Sequence, residues 1–249
     1  MSEPKNPQII MEFTMKYSFL CLLALITFAT TASAQEGWVD LFNGQDFDGW
    51  QQAGGEAKYS VQDGVIIGES VPNTPNSFMC TQKLYHDFIL EYEYKCDSSL
   101  NSGVQFRSNV YAIDIVGPAS GKKKGRKIPA GRVHGYQCEI DPNKPDRMWA
   151  SGVYDEARRG WLYPGQAGGD AAAFTAQGKK TFKDGDWNKV RIQCEGDHIQ
   201  TWLNGEPRAD FKDSLTSHGI IALQVHGIGK NQKAIGTKVM WKNLKIKEL

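Results

Sequence analysis

From Gly37 onward the chain consists of short runs rich in Val, Ile, Tyr, Phe and Trp, which Gly, Asn or Asp interrupt about every ten residues. Residues 88–95 alternate apolar and polar side chains, which predicts a strand with one buried face. Val190–Cys194 and Ile199–Leu203 flank a Gly-Asp turn and predict a hairpin. Helical periodicity is limited to one turn predicted at Ala171–Phe174. The pattern predicts an all-β fold in which two antiparallel sheets form a sandwich.

Three segments have special patterns. Lys238–Lys247 alternates around an irregularity expected near Asn243, and its lysines favour an outer or edge strand. Residues 117–131 carry a basic run, for which a solvated loop tip is favoured over a binding site. Residues 154–169 place Arg and aromatic side chains between glycines, which indicates a long loop that serves as a ligand-facing lid or as a cap over a sheet edge.

The first 34 residues have the pattern of an export signal. Met15 is the expected start, Phe19–Phe28 is the apolar core, and Ala32-Ser33-Ala34 is the expected cleavage motif. The apolar core is too short to span a bilayer, so the mature chain is predicted to lack a membrane anchor. We therefore expect one β-rich domain over 35–249, exported to the periplasm or secreted.

Charge and cysteine content narrow the partners. The chain has 29 Lys and Arg against 28 Asp and Glu, a formal net charge of +1, which argues against nucleic acid or an anionic membrane as a partner. Four cysteines follow the signal, and in an oxidising compartment they allow three pairings that the sequence does not separate. Buried thiols or structural bridges are favoured over catalytic roles. These cysteines are Cys80, Cys96, Cys138 and Cys194.

Strand alternation places an unusual number of polar side chains on one face. Side chains two residues apart share a face, and residues 103–107, 135–141 and 221–226 each have an apolar and a polar face. The polar faces hold Gln105, Arg107, Gln137, Glu139, Asp141, Gln224 and His226. Such a face favours a sugar-binding groove in which Trp161 or Trp149 stacks on a ring. The alternative is that these groups pair among themselves, as Arg107 with Glu139, and only keep the sheet soluble.

Several segments, taken together, resemble the family of 3-keto-disaccharide hydrolases. They are Trp38–Gly44 with Gly49-Trp50, Asn101–Arg107, Gly135–Asp141, Gly185–Asn188 and Gly219–Gly227. The resemblance extends over essentially the whole of the chain after the signal. It implies a concanavalin A-like jelly roll and a hydrolase or lyase that acts on glycosides oxidised at carbon 3.

The carboxylate pattern disfavours an ordinary retaining glycosidase. Sandwich β-glucanases use a Glu-x-Asp-x-x-Glu arrangement, and the last position here is Lys144. Two-acid chemistry would therefore need Asp146 or Asp155 to reach the site. A 3-keto sugar needs different groups, because its ketone acidifies the proton on carbon 2 and allows the substituent on carbon 1 to leave by elimination.

Elimination needs a base and a group that stabilises an enolate. His134 and His226 are the first candidates for the base, with Glu139 next. Arg107, or a divalent cation held by Glu139, Asp141 and a histidine, would stabilise the enolate. The residues expected to bind substrate are Asn101, Gln105, Gln137, Asp141, Tyr154, Trp161 and Gln224.

The predicted substrate is a small saccharide or glycoside. No dinucleotide-binding fingerprint is present in the sequence, so a separate sugar 3-dehydrogenase would have to supply the oxidised sugar. Two other functions remain open at this point, a non-catalytic carbohydrate-binding module and a conventional glycosidase.

Overall fold

The computed structural model describes residue 1 and residues 36–116, 127–141 and 146–249. The predicted export signal, most of the basic segment 117–131, and Lys144 lie outside the described residues.

The described residues contain strands, one α-helix and a 3₁₀ turn, Gln232–Ala234. The strands are β1 (Trp38–Asp40), β2 (Trp50–Gly54), β3 (Lys58–Gln62), β4 (Val65–Glu69), β5 (Ser77–Thr81), β6 (Phe88–Cys96), β7 (Ser102–Val110), β8 (Ile115–Val116), β9 (Lys127–Ile128), β10 (Val133–Ile140), β11 (Val153–Glu156), β12 (Gly160–Tyr163), β13 (Asn188–Glu195), β14 (His198–Leu203), β15 (Glu206–Lys212), β16 (Ile220–Val225) and β17 (Lys238–Glu248).

Two large antiparallel sheets account for most of these strands. Sheet A has eight strands in the order β15-β14-β13-β6-β17-β4-β3, with β1 paired to β17. Sheet B has seven strands in the order β12-β11-β10-β7-β16-β5-β2. The short strands β8 and β9 pair with each other. The prediction of an all-β, two-sheet antiparallel sandwich is confirmed.

The core lies between the two sheets and follows the alternation expected from the sequence. Leu90 and Ile192 of sheet A and Val104 and Leu223 of sheet B are fully buried in one apolar cluster. Burial of apolar surface on this scale supplies the main stabilising term. Since Val104 and Leu223 point inward, the residues next to them on β7 and β16 point to the other side of the sheet, which we call the outer face of sheet B.

Two predicted elements differ from the structure. β17 lies between β6 and β4 instead of at an edge, and its lysines point outward to pair with Glu91 and Glu93. The irregularity expected near Asn243 is confirmed, because Asn243 has a φ of 53° where the register shifts. The predicted loop 154–169 is wrong in part, since β11 and β12 form a hairpin at the edge of sheet B.

The helix and the cysteines complete the fold. The predicted turn extends into α1, Ala171–Thr181, whose first turn Asp170 caps by accepting from Ala173 N at 2.7 Å. Within the described residues, no helix combines the length and apolar character needed to cross a membrane. The four cysteines are free thiols. Burial raises the pKa of both Cys138 and Cys194 to about 12, so these two remain protonated thiols.

Arg107 does not lie on the outer face of sheet B, so its predicted position beside Gln105 is wrong. Its φ is 44°, and the register of β7 shifts here, because Ala222 pairs with Gln105 whereas Ile220 pairs with Ser108. A bulge of this kind redirects the side chain.

The Arg107 side chain is fully buried and connects the two sheets. Its Nε donates to His86 O at 2.8 Å, its Nη1 to Gly196 O at 2.7 Å and its Nη2 to Asp87 Oδ1 at 2.6 Å. His86 and Asp87 precede β6, and Gly196 lies in the turn between β13 and β14 of sheet A. Arg107 is therefore a structural link from sheet B to sheet A.

Replacing Arg107 should destabilise the fold strongly. Arg107→Met leaves the carbonyl groups of His86 and Gly196 without the arginine donor and removes the cation from the Asp87 carboxylate, which keeps the Gly196 N–H as a donor. We expect a loss of about 3 kcal/mol in the free energy of unfolding. Urea denaturation measures this loss. Lys58→Met is the matched control, because Lys58 forms an exposed pair with Glu69 and should cost below about 1 kcal/mol. Equal losses in the two variants would contradict the structural role of Arg107.

Candidate functional site

The outer face of sheet B carries a group of amide side chains around one carboxyl group. Gln137 pairs across strands with Gln105, and Gly103 lies between Glu139 of β10 and Gln224 of β16. Residues paired across strands point to the same side. We call Asn101, Gln105, Gln137 and Gln224, with Glu139 among them, the amide cluster.

Each oxygen of Glu139 accepts a hydrogen bond from an amide. Asn101 Nδ2 donates to Oε1 at 2.5 Å, and Gln137 Nε2 donates to Oε2 at 2.8 Å. Gln137 Oε1 accepts in turn from Gln105 Nε2 at 2.6 Å and from Gln224 Nε2 at 2.8 Å. The structure therefore brings together five of the residues predicted from the sequence.

Gly103 provides the space that this network needs, and the sequence analysis gave it no role. A Cβ atom at position 103 would lie 2.5 Å from Cγ and Cδ of Gln137. The Gln137 side chain can therefore cross β7 to Gln224 only because residue 103 has no side chain.

Glu139 is only 5% exposed, whereas Gln105 and Gln224 are fully buried. Burial raises the pKa of Glu139 to about 7, while its hydrogen bonds to Asn101 and Gln137 oppose the rise and the charges of Asp141 and Glu156 add to it. A carboxyl group with a pKa near neutrality can both accept and donate a proton at physiological pH.

An aromatic wall borders the amide cluster on the side of β11 and β12. Tyr154 pairs across strands with both Gln137 and Trp161, so both aromatic side chains lie on the outer face. The ring centroids of Tyr154 and Trp161 are 5.3 Å apart, and those of Trp149 and Trp161 are 4.6 Å apart. All three side chains are half-buried. The wall has the character of a surface that packs against a sugar ring.

Asp141 is engaged by an arginine that the sequence analysis missed. Arg147 donates from Nε to Oδ2 at 2.9 Å and from Nη2 to Oδ1 at 2.8 Å, and Asp141 is fully buried. The Arg147 guanidinium also lies 5.2 Å from the ring of Trp149 and 5.4 Å from that of Trp161.

The predicted divalent cation does not fit this arrangement. Both Asp141 oxygens bond to Arg147, and the nearby Glu139 oxygens bond to amides. In the part of the chain that the structure describes, no three His, Cys, Asp or Glu side chains are grouped closely enough to hold a metal ion. The ligand set of Glu139, Asp141 and a histidine is therefore not assembled.

A second carboxylate on the outer face, Glu156, was not recognised in the sequence. It pairs with Gly135 across strands and accepts a hydrogen bond from Arg132. The two carboxylates suggested for two-acid chemistry lie elsewhere. Asp146 is exposed, and Asp155 is buried on the core side, where Arg158 and Arg159 bind it at 2.6 and 2.5 Å.

The two histidines proposed as bases lie apart from each other. His134 is five residues before Glu139 on β10, about 16 Å along the strand, and it stacks on Tyr111 at 3.7 Å. Burial and the charge of Arg158 lower the pKa of His134 to about 4. His226 is exposed just after β16, and its Nδ1 donates to Gly227 O at 2.8 Å. The last pair between β16 and β7 is Val225 with Ser102. If that register continues by one residue, His226 lies opposite Asn101, at the rim of the amide cluster.

A family model and solved structures match this chain. The model of the 3-keto-alpha-glucoside-1,2-lyase-like domain matches residues 37–247. No curated protein matches the sequence. A candidate glycosyl hydrolase from Parabacteroides distasonis has 26% sequence identity and a TM-score of 0.53, covering 86% of this chain and 94% of that chain.

A Bacillus subtilis protein of unknown function with a galectin-like fold has 10% identity and a TM-score of 0.53, covering 81% of this chain and 90% of that chain. It supports the fold alone. The matches confirm the resemblance inferred from the sequence and indicate a carbohydrate-related, hydrolase-like domain.

Glu139→Gln should reduce the pH dependence of stability. The folded pKa of about 7 lies above the ordinary value of 4.5, so the native protein loses stability as pH rises from 4.5 through 7. Glu139→Gln lacks this loss. The free energy of unfolding of the variant minus that of the native protein should therefore be roughly 2–3 kcal/mol larger above pH 7 than below pH 4.5.

Urea unfolding of both proteins below pH 4.5 and above pH 7 measures this change in the stability difference. The comparison cancels effects of the substitution that do not depend on pH. Glu206→Gln, at an exposed site, is the control. A Glu139→Gln difference that stays constant with pH would contradict a buried carboxyl group with a raised pKa.

Proposed function

This chain belongs to the family of 3-keto-α-glucoside-1,2-lyase-like domains, and on that premise we propose that it cleaves glycosides oxidised at carbon 3. The observation that carries the proposal is Glu139, whose carboxyl group titrates near neutrality among amides that suit sugar hydroxyls. The elimination named by the family description needs such a base.

Glu139 is the base in this proposal, ahead of the histidines. Its carboxylate removes the proton from carbon 2, the bond from carbon 1 to the leaving oxygen breaks, and a double bond forms between carbons 1 and 2. The leaving oxygen takes up a proton, which protonated Glu139 can supply. Addition of water to the unsaturated 3-keto sugar would complete a net hydrolysis.

The amide cluster provides groups that position the sugar. Gln224 Oε1 is buried and has no hydrogen-bond partner among the described residues, and a sugar hydroxyl would satisfy this acceptor. Positive charge for the enolate would come from Arg132 and Arg147, the arginines of the outer face, instead of Arg107. The aromatic wall would pack against the ring.

Glu139→Gln should lower kcat/KM for a 3-keto glycoside roughly 100-fold or more, because it removes the base. In the native protein kcat/KM should rise with pH through about 7, as the carboxylate form appears. His134→Gln is the control and should change the rate little. If His226→Gln abolished the rate and Glu139→Gln did not, the base would be His226.

The choice of substrate separates this function from its two rivals. We expect turnover of a 3-keto glycoside and none of its unoxidised parent. Cleavage of neither compound would overturn the enzymatic role, and sugar binding that persists in Glu139→Gln would then indicate a carbohydrate-binding module. Equal cleavage of both compounds would indicate a conventional glycosidase.

The proposal also covers the cellular location of the protein and the source of its substrate. We propose that the chain is exported, without a membrane anchor, to the periplasm or the medium, and that a separate sugar 3-dehydrogenase provides the ketone. N-terminal sequencing of protein recovered outside the cytoplasm should begin at Gln35, after the Ala32-Ser33-Ala34 motif. An intact start at Met1 or Met15 would contradict export by cleavage.

A further inference from the structure

The outer face of sheet B has an apolar half next to the amide cluster. A second cluster of buried side chains, separate from the main core, consists of Phe78, Cys80, Val133, Ile220 and Ala222, with Ala53 packed against it. We call this set the apolar half.

Strand register places the apolar half on the same side as the amide cluster. Phe78 pairs directly with Gln224, and Ala222 pairs with both Gln105 and Cys80. Met79 and Leu223, the alternate residues on these strands, belong to the main core instead. The apolar half is therefore a continuation of the site and not part of the core between the sheets.

The distance across the face matches a substrate of two parts. Glu139, Gly103, Gln224 and Phe78 follow one another on β10, β7, β16 and β5. Three strand spacings separate Glu139 from Phe78, about 14 Å. Two linked six-membered rings fill such a span. With the oxidised sugar at Glu139, the group on carbon 1 can extend past Gln224 to Phe78, with Ala222 beside it on β16.

The two halves offer different chemistry at similar depth. Glu139, Gln105 and Gln224 are 5%, 0% and 0% exposed, and Phe78, Cys80 and Ala222 are 0%, 6% and 0% exposed. The apolar half has one weakly polar side chain, Cys80, whose Sγ donates to Phe78 O at 3.6 Å. Hydroxyl groups of a second sugar would find few partners there, and burying them unpaired is unfavourable.

Arg132 lies over one residue of this half, Phe78. Its guanidinium lies 5.9 Å from the ring of Phe78 and pairs with Glu156 on the opposite side of the face. The Arg132 side chain is 17% exposed, and a ligand ring that packs against Phe78 from this side would have to displace it.

From this arrangement we propose that the site prefers a glycoside whose group on carbon 1 is an apolar ring, and disfavours one in which that group is a second sugar. The inference rests on the proposed function, because it takes Glu139 as the group that acts on the oxidised sugar. The inference adds to that function the class of leaving group, which is an apolar ring.

The test compares two substrates of matched shape, cyclohexyl 3-keto-α-glucoside and the 3-keto derivative of an α-linked glucose disaccharide. Both leaving groups are alcohols on a six-membered ring, and the rate of spontaneous elimination normalises their reactivity. We expect kcat/KM to be at least about tenfold higher for the cyclohexyl compound. Equal values, or a preference for the disaccharide, would overturn the inference and leave the proposed function intact. Cleavage of neither would overturn the proposed function itself.

Substitutions in the apolar half give an independent readout. Ala222→Ser adds one hydroxyl between Gln105 and Cys80 and should reduce the preference for the cyclohexyl compound at least fivefold. Phe78→Leu keeps the half apolar and should keep most of the preference. Thermal unfolding of both variants shows whether they fold. A folded Ala222→Ser protein that is less stable but has an unchanged preference would show that these residues form only a small packing cluster, which would overturn the inference.

Discussion

A carboxyl group withdrawn from water needs hydrogen-bond donors, and this requirement of Glu139 organises the outer face of sheet B. Because the Glu139 oxygens accept, the amide nitrogens of Asn101 and Gln137 must point toward them. The oxygen of Gln137 then points the other way and accepts from Gln105 and Gln224. One ionisable group thus sets the direction of several amides, and among the described residues the buried Gln224 Oε1 has no hydrogen-bond donor.

Alternation along the strands was enough to predict the sandwich and most of the amide cluster, since a strand that follows the two-residue period leaves no choice of face. The prediction failed where the backbone departs from that period. Arg107 sits in a bulge with a positive φ, which sends its side chain to sheet A. Ion pairs that join a strand to a residue outside its alternating pattern, such as Glu156 with Arg132 and Asp141 with Arg147, had no signal in that pattern. The lysines of β17 favoured an outer or edge strand, but an inner strand can carry lysines on its solvent side.

The charges around Glu139 are compensated in pairs. Asp141 and Glu156 both raise its pKa, and each of them is bound by an arginine, Arg147 and Arg132. Without these arginines, two uncompensated negative charges would disfavour the Glu139 carboxylate further. The ion pairs therefore keep the group in the range where it exchanges protons, while their own geometry shapes the aromatic wall and the cover of Phe78.

The outer faces of the two sheets show that the amide cluster is not an ordinary protein surface. On sheet A several outward side chains of neighbouring strands are lysine and glutamate, which form ion pairs across the strands, as between Lys242 and Glu93 and between Lys189 and Glu91. Such pairs keep a sheet soluble at little cost. On sheet B the equivalent positions hold buried amides and a carboxyl group whose ionisation opposes folding above neutral pH. Solubility alone would not favour buried amides and a buried carboxyl group, because they lower the stability of the fold. A site that binds hydroxyl groups and moves a proton requires such groups.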